Sequence, residues 1–368
     1  MKRMKTNTNR LITGLLLLLS PILAKAQFSE TREFEKRFKI QPGTRIEITN
    51  KYGMVELNTW KKDSVYIKVE IKVEEKKPDK LEKTLAGIDF DFTNSPHYLI
   101  ARTRVGETRT PIENELIKFK ETLLQATGNV SINYKVWLPD HRELRIENKF
   151  GDILMGDYSG TTDISLSNGK LRAKAFKSKL VLNLNFADAT LGNVPNGRIT
   201  SNYSDIYIKE SGQLRFDSKS STIEVLQVNQ LDATSRRDKF RIRLADQLEA
   251  DGNFSNFRIS NLAKSAKLRT TYGAIEIENI APKFENIYIE ARLTGMGLYF
   301  DAESKFNFEI TESKTSLNIG REVKKHDTVE LDPKEKKNRH KYSFGEKTTG
   351  ADKLTINSVV GEISIKSY

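Results

Sequence analysis

The chain has 368 residues, with 61 Lys and Arg against 49 Asp and Glu, a formal net charge of +12, and no cysteine. The missing cysteine excludes thiolate catalysis, thiolate metal sites and redox switching. Charges of both signs are mixed along the chain, without a basic stripe that carries interleaved aromatics, so nucleic acid is not an expected partner.

Residues 1–26 have the pattern of a secretory signal peptide. A basic start precedes the apolar run 11–23, and Ala24-Lys25-Ala26 supplies a small-x-small cleavage site. The run is short for a membrane span of about 20 residues. We therefore expect export, cleavage between Ala26 and Gln27, and no transmembrane segment in the mature chain. The remainder carries +7, because residues 1–26 hold five Lys or Arg and no acid.

Residues 27–140 mix strands with helical insertions. Alternating apolar residues predict strands over 45–57, 64–73, 88–92, 98–104 and 130–138. A short helix is predicted over Pro78–Ala86, ending at Gly87, and a second helix is predicted to begin at Thr110-Pro111-Ile112-Glu113. We expect this region to cap the repeats that follow, because an uncovered strand edge invites aggregation.

Residues 141–320 repeat one phrase. In Leu144–Ile153, two alternating apolar residues lead into a polar or small turn, after which a second alternating segment begins. The phrase is also clear at 46–57 and 268–277, and weaker copies fill the interval. Successive turns are 17 or 18 residues apart; they fall at Gly151, Gly169, Ala187, Ser204, Ser221, Asp238, Ser255 and Gly273.

This even period predicts an all-β fold, a β-solenoid of stacked two-strand coils of about 17–18 residues with a small mixed α/β N-terminal cap. One unit cannot bury its apolar face alone, but stacking coils about 4.8 Å apart buries it and pairs the backbone. A β-sandwich would show less internal similarity. A transmembrane barrel would place outward charges such as Arg145, Glu147 and Arg241 against lipid.

The C-terminal region contains an interruption and one more copy of the repeat. Residues 321–347 are rich in Lys and Glu and poor in apolar residues, so they predict a protruding polar loop. Residues 348–368 predict a final coil, with its strand over 354–365.

These motifs resemble the putative adhesin family of exported bacterial β-solenoid proteins, a domain of unknown function. The resemblance rests on Asn50-Lys51-Tyr52-Gly53, on Asn148-Lys149-Phe150-Gly151, on Thr271-Tyr272-Gly273 and on the strand 132–139 before the repeats. It covers about 34–368. It implies a single-stranded solenoid in the envelope or at the cell surface, and it implies no catalytic residues.

A cluster of basic residues in the 321–347 segment is one candidate contact site. It comprises Lys334, Lys336, Lys337, Arg339, His340 and Lys341. The cluster is either a solvated loop or a contact for anionic lipid or lipopolysaccharide headgroups or an acidic polymer.

Aromatic residues recur near one corner of the repeat, at Tyr52, Phe150, Phe186, Tyr203 and Tyr272. We expect them to fill the solenoid core, as an aromatic repeated at one coil position generally does. The alternative is an exposed strip that stacks against sugars.

No residue pattern points to catalysis, a metal or a cofactor. Asp152, Asp157, Asp188 and Asp205 lie near successive turns, and turn chemistry accounts for them better than a catalytic acidic ladder. The four histidines fall in predicted turns or loops without metal-ligand spacing, so we expect them to be solvated.

We therefore predict a non-enzymatic exported β-solenoid, an adhesin-like binding or structural module in the periplasm or on the outer surface of a Gram-negative-type bacterium. Its partner is left open between a polysaccharide, a lipid headgroup and a protein. The alternatives are a periplasmic scaffold or sensor, and a polysaccharide-active β-helix enzyme.

Overall fold

The computed structural model describes residues 28–106, 129–346, 348–350 and 352–368. The predicted cleavage between Ala26 and Gln27 and the helix predicted to begin at Thr110 therefore lie outside the described residues. The described residues form 23 strands, joined in one continuous sheet, and one helix. The all-β solenoid prediction is confirmed.

The N-terminal region follows the predicted strands closely, and its helix has the predicted bounds. Its elements are β1 (Phe28–Lys39), β2 (Arg45–Lys51), β3 (Val55–Trp60), β4 (Ser64–Glu75), α1 (Pro78–Ala86), β5 (Ile88–Asn94), β6 (Tyr98–Val105) and β7 (Val130–Pro139). The sequence reasoning missed β1, which runs antiparallel to β4 along its whole length. Antiparallel pairing of β4 with β7 joins both strands to the solenoid.

The central strands stack in parallel and in register, one coil above another. They are β8 (Leu144–Lys149), β9 (Ile153–Tyr158), β10 (Thr162–Ser167), β11 (Lys170–Phe176), β12 (Lys179–Asn185), β13 (Asp188–Asn202), β14 (Asp205–Lys219), β15 (Thr222–Arg236), β16 (Lys239–Asn253), β17 (Asn256–Thr271), β18 (Ala274–Ile280) and β19 (Asn286–Phe300). Because the strands pair in register, the inward-pointing side chains of successive coils lie above one another in columns. Phe240 and Phe257, for example, are in register and stack in the core, and the fully buried Phe216 of another column meets Phe240 edge-on.

Each coil turns sharply at a residue whose backbone is left-handed. In the central coils these residues immediately precede the predicted turn positions, and their φ values lie between 51° and 61°. They are Phe150, Asn168, Phe186, Tyr203, Ser220, Arg237, Phe254 and Tyr272. Tyr52 in the β2–β3 coil and Leu293 within β19 have the same conformation. The 17- or 18-residue period is therefore the distance along the chain from one left-handed corner to the next.

At several corners the following residue is glycine because the neighbouring coil leaves no room for a side chain there. A Cβ on Gly151 would lie 2.0 Å from the carbonyl oxygen of Gly53, and one on Gly273 would lie 2.2 Å from that of Ser255. These contacts are far closer than atoms tolerate, so glycine is required where neighbouring coil backbones touch.

Four other coils carry a polar ladder at the same position. The Ser204 amide donates to the Ser221 hydroxyl at 3.3 Å, the Ser221 amide to the Asp238 carboxylate at 2.7 Å, and the Asp238 amide to the Ser255 hydroxyl at 3.2 Å. All four side chains are buried. These bonds tie each coil to the next where the ordinary strand ladder is interrupted by the corner.

Both ends of the stack are interleaved out of sequence order. The β2–β3 coil lies between the coil of β6 and β7 and the coil of β8 and β9. Near the other end, β23 (Leu354–Ser367) lies between β19 and β20 (Phe306–Ile319). The predicted final coil is thus formed, but β20 lies outside it.

A hairpin takes the place of the polar loop expected over 321–347. Strand β21 (Val323–Asp332) pairs antiparallel with β22 (Lys337–Phe344), and β22 pairs antiparallel with β20. The composition is polar because β21 is exposed along most of its length. Strand β22 alternates towards the core, and its Tyr342 and Phe344 are buried.

Candidate functional site

The left-handed residues of successive coils form a continuous row that we call the corner track. It comprises Tyr52, Phe150, Asn168, Phe186, Tyr203, Ser220, Arg237, Phe254, Tyr272 and Leu293. The backbone amide of each residue from Tyr52 to Tyr272 donates to a carbonyl of the next coil, for example from Tyr203 to Lys219 at 3.0 Å. Neighbouring track residues are therefore about 4.8 Å apart along the stack, the spacing of paired strands.

The prediction that the recurring aromatics fill the core is wrong for most of them. Phe186, Tyr203 and Tyr272 are 56%, 49% and 50% exposed, and Phe254, which was not singled out from the sequence, is 52% exposed. Tyr52 is buried, and Phe150 is partly buried and packs against the core. A left-handed residue ends the inward and outward alternation of the strand, so its side chain leaves the core face at the corner.

The exposed aromatics stand in two parallel pairs. The rings of Phe186 and Tyr203 have centroids 4.9 Å apart with planes 2° apart, and those of Phe254 and Tyr272 are 4.8 Å and 4° apart. Ser220 and Arg237 occupy the track between the pairs. The two rings of each pair are parallel, and about half of each aromatic residue is exposed to solvent.

Backbone geometry does not explain why these residues are aromatic. The corner needs a positive φ, which glycine adopts freely and asparagine tolerates, whereas a bulky residue there costs about 1–2 kcal/mol. Asn168 shows that a small polar residue fits the track. Stacking recovers about 0.5–1.5 kcal/mol for each pair. The exposed rings are therefore close to neutral for folding, and their exposed parts are available to a partner.

A groove runs beside the corner track on the outer face of β15, β16, β17, β19, β20 and β23. It encloses about 860 Å³. Asn253 and Thr271, which line it, immediately precede Phe254 and Tyr272, so the second aromatic pair forms its rim. Its charged lining residues are Arg236, Asp251, Arg269, Glu290, Arg292 and Lys337.

Charge in the groove is partly neutralised at its centre. Arg269 lies 2.9 Å from Asp251 and 3.9 Å from Glu290. Within the described ranges, Arg236, Arg292 and Lys337 form no ion pair. The groove therefore has a net positive charge carried by exposed side chains around a central ion-paired arginine.

The structure divides the predicted basic cluster. Lys334 and Lys336 lie in the turn of the β21–β22 hairpin, whereas Lys337, Arg339 and Lys341 follow alternate positions of β22. Arg339 lies 3.9 Å from the Glu309 carboxylate. Lys337 alone of the five lines the groove. The cluster is therefore part of an ordered strand and turn, and one of its members joins a larger site.

Two histidines lie in strands instead of the predicted turns or loops. His326 is exposed in β21, and its Nε2 lies 2.8 Å from the Ser343 hydroxyl. His340, expected in a solvated loop, is buried in β22, where its ring nitrogens lie 3.0 Å from the Thr328 hydroxyl and 3.4 Å from the Glu312 carboxylate. His97 and His141 are exposed, as expected. Across the described part of the chain, no three His, Asp or Glu side chains converge as metal ligands would.

The acidic residues near the turns do not form one ladder. Lys170 lies between Asp152 and Asp188 on successive coils, and the Asp152 carboxylate accepts the Lys170 amide at 2.8 Å. Asp157 pairs in register with Ala175, away from the others. This is the turn and backbone chemistry predicted for them.

Comparisons with known proteins identify no family. No family model and no curated protein match the chain. Among solved structures, a putative cell adhesion protein from Clostridium sporogenes is 11% identical, with 92% of this chain and 100% of that chain covered and a TM-score of 0.18. A putative adhesin from Bacteroides fragilis is 10% identical, with 92% and 97% covered and a TM-score of 0.21. In the described ranges, no helix has the length and apolarity needed to cross a membrane.

Proposed function

We propose that this protein is a non-enzymatic, exported binding module of the bacterial cell envelope, adhesin-like in character, which holds an extended partner along the corner track. The observation that carries the proposal is the pair of half-exposed aromatic stacks at positions where the backbone favours glycine or asparagine. A solenoid repeats its surface at a fixed step, which suits a partner that is itself a repeating polymer.

The position of the candidate carboxylates supports binding over catalysis. Hydrolysis of a glycosidic bond uses two carboxyl groups flanking that bond. Asp188 and Asp205 begin neighbouring strands, but both are exposed and neither lines the groove. Release of reducing ends from any bound polysaccharide would contradict the non-enzymatic proposal.

Replacing the exposed rings tests the binding role. A variant carrying Phe186→Asn, Tyr203→Asn, Phe254→Asn and Tyr272→Asn keeps residues that tolerate the left-handed backbone. We expect it to fold and to lose co-sedimentation with isolated cell envelopes. Tyr98→Asn, at an aromatic that is 42% exposed and off the track, is the matched control. Equal retention of all three proteins would refute the proposal.

The location is tested separately. Protease treatment of intact and permeabilised cells that express the tagged protein distinguishes the outer surface from the periplasm. Cleavage on intact cells supports adhesion. Protection until permeabilisation favours the periplasmic scaffold or sensor.

A further inference from the structure

The second aromatic pair lies between two arginines. In the groove-lining position of four successive coils, the order is Arg236, Asn253, Thr271, Arg292, and Phe254 and Tyr272 directly follow the two middle residues. Three strand spacings place the two arginine backbones about 14 Å apart. Three further spacings along the same row lead through β23 and β20 to Lys337.

These cations differ from the other charges of the groove because they have no acidic partner. Arg269, between them, is held by Asp251 and Glu290. Among the described residues, Arg236, Arg292 and Lys337 make no ion pair, and all three are exposed. A guanidinium binds a carboxylate through two parallel hydrogen bonds, so the free arginines are suited to planar anions.

We propose that the groove and its aromatic rim bind an acidic polysaccharide, a glycan chain that carries carboxylates on its sugar rings. The proposal rests on the proposed function and names its ligand class. Sugar rings pack against the exposed edges of Phe254 and Tyr272, and ring carboxylates reach Arg236 and Arg292. Sugar hydroxyls donate to Asp251 and Glu290, which a strictly cationic site would not contain.

The shape of the site favours a chain over an anionic membrane. The cations line a concavity, with two carboxylates at its centre. A planar array of lipid phosphates would meet the rim before the groove, and Asp251 and Glu290 would repel phosphates that entered it. A single polymer chain lies along the groove and meets cations and acids in turn.

The first aromatic pair provides an internal comparison. On the row beside Phe186 and Tyr203, the flanking residues are Ser167 and Lys219, so this pair has one neighbouring cation in place of two. The same molecule therefore contains one aromatic pair flanked by two cations and one flanked by a single cation.

Calorimetric titration of the purified protein with polygalacturonate and with alginate tests the proposal, and methyl-esterified polygalacturonate serves as the uncharged equivalent. We expect binding to both acidic polymers that weakens as salt screens the charges. The double variant Arg236→Gln, Arg292→Gln should bind at least about tenfold more weakly. Lys239→Gln with Arg241→Gln removes the same charge from the other outer face and should change affinity less than about twofold.

Two results would overturn the proposal while leaving the proposed function intact. One is the absence of binding to both acidic polymers by a protein that still sediments with envelopes through its aromatic residues. The other is tighter binding to phosphatidylglycerol vesicles than to either polymer, lost in the arginine double variant. Equal loss of polymer affinity in both double variants would also overturn the proposal, because the interaction would then depend on net charge alone.

Failure of the proposed function itself would appear as unchanged envelope binding in the aromatic variant.

Discussion

The carboxylate of Asp238 accepts a hydrogen bond from the backbone amide of Ser221 at 2.7 Å, across the boundary between two coils. Three further donors surround it: the Ser218 and Ser235 hydroxyls, each at 2.7 Å, and the Arg236 amide at 2.9 Å. The side chain is 1% exposed. A buried carboxylate is tolerated when hydrogen bonds satisfy its oxygens, so neighbouring coils are joined here without a buried cation.

Replacing Asp238 with alanine should therefore lower the stability of the protein by about 2–4 kcal/mol, because several buried donors lose their acceptor. The shift of the urea midpoint, followed by circular dichroism, measures the effect. Asp217→Ala removes an exposed carboxylate from the outer face of β14 and should change stability by less than about 0.5 kcal/mol. Equal effects of the two substitutions would show that the ladder is not a stabilising link.

The close approach of coil backbones predicts opposite results for two glycines. Gly273→Ala places a Cβ 2.2 Å from the Ser255 carbonyl oxygen, so the coils must separate, at a cost of about 3 kcal/mol or more. Gly295 has no atom within 4 Å of an added Cβ and no positive φ, so Gly295→Ala should stabilise the protein by about 0.4–1 kcal/mol. Thermal midpoints of the two variants compare them directly. A stable Gly273→Ala variant would contradict the account of the corner.

The sequence predicted the coil period because each corner imposes two local demands. A left-handed residue is followed either by glycine or alanine or by a short polar residue that bonds to a neighbouring coil, and Gly151, Ser204 and Gly273 reveal this spacing. The same corner explains why the aromatic surface was missed. Continuing the alternation of Leu180, Leu182 and Leu184 would turn Phe186 inward, but the corner ends the alternation.

The order of coils at the ends could not be predicted from repeats alone. The similarity between copies of the repeat indicates which segments stack as coils. It does not indicate that β23 inserts between β19 and β20. The groove depends on this insertion, because Lys337 reaches the row of Arg236 only through β23, β20 and β22. A signal for β22 was present in the alternation of His340, Tyr342 and Phe344, and the surrounding charges obscured it.

The insertion of β23 predicts strong protection of its backbone. Both edges of the strand are paired, so its amides near Ile356 and Ile363 should exchange with deuterium as slowly as those near Ile289. Strand β21 is paired along one edge and exposed, so it should exchange much faster. Hydrogen-exchange mass spectrometry measures both. Faster exchange in β23 than in β21 would contradict the interleaved order.

Acid sensitivity is expected at the turn between β7 and β8. The Ser159 hydroxyl donates to the Asp140 carboxylate at 2.9 Å and, with a smaller effect from His141, holds the pKa of Asp140 below its ordinary value. A lowered pKa stabilises the fold above the ordinary value of about 3.9, and the contribution is lost as pH falls through the folded-state pKa. Since the carboxylate is half exposed, the contribution is below about 1 kcal/mol.

Urea midpoints of the wild type and of Ser159→Ala at pH 7 and pH 3 test this relationship. The wild type should be the more stable protein at pH 7, and the difference should shrink at pH 3. Ser178→Ala, at a half-buried serine on the next coil, provides a control whose difference from the wild type should not change with pH. If the stability difference between Ser159→Ala and the wild type were the same at both pH values, it would arise from packing and not from the pKa of Asp140.

The aromatic rings of the corner track are expected to contribute little to folding, and this can be measured at Phe254. Phe254→Asn loses a stack worth about 0.5–1.5 kcal/mol but relieves about 1–2 kcal/mol of left-handed strain, so stability should stay within about 1 kcal/mol of the wild type. Phe257→Ala, three residues further on and fully buried, should cost about 3–5 kcal/mol. Denaturant midpoints of both variants give the comparison. If Phe254→Asn were as costly as Phe257→Ala, the ring would be a structural element, and a loss of binding in the aromatic variant would report damage to the fold instead of a missing contact.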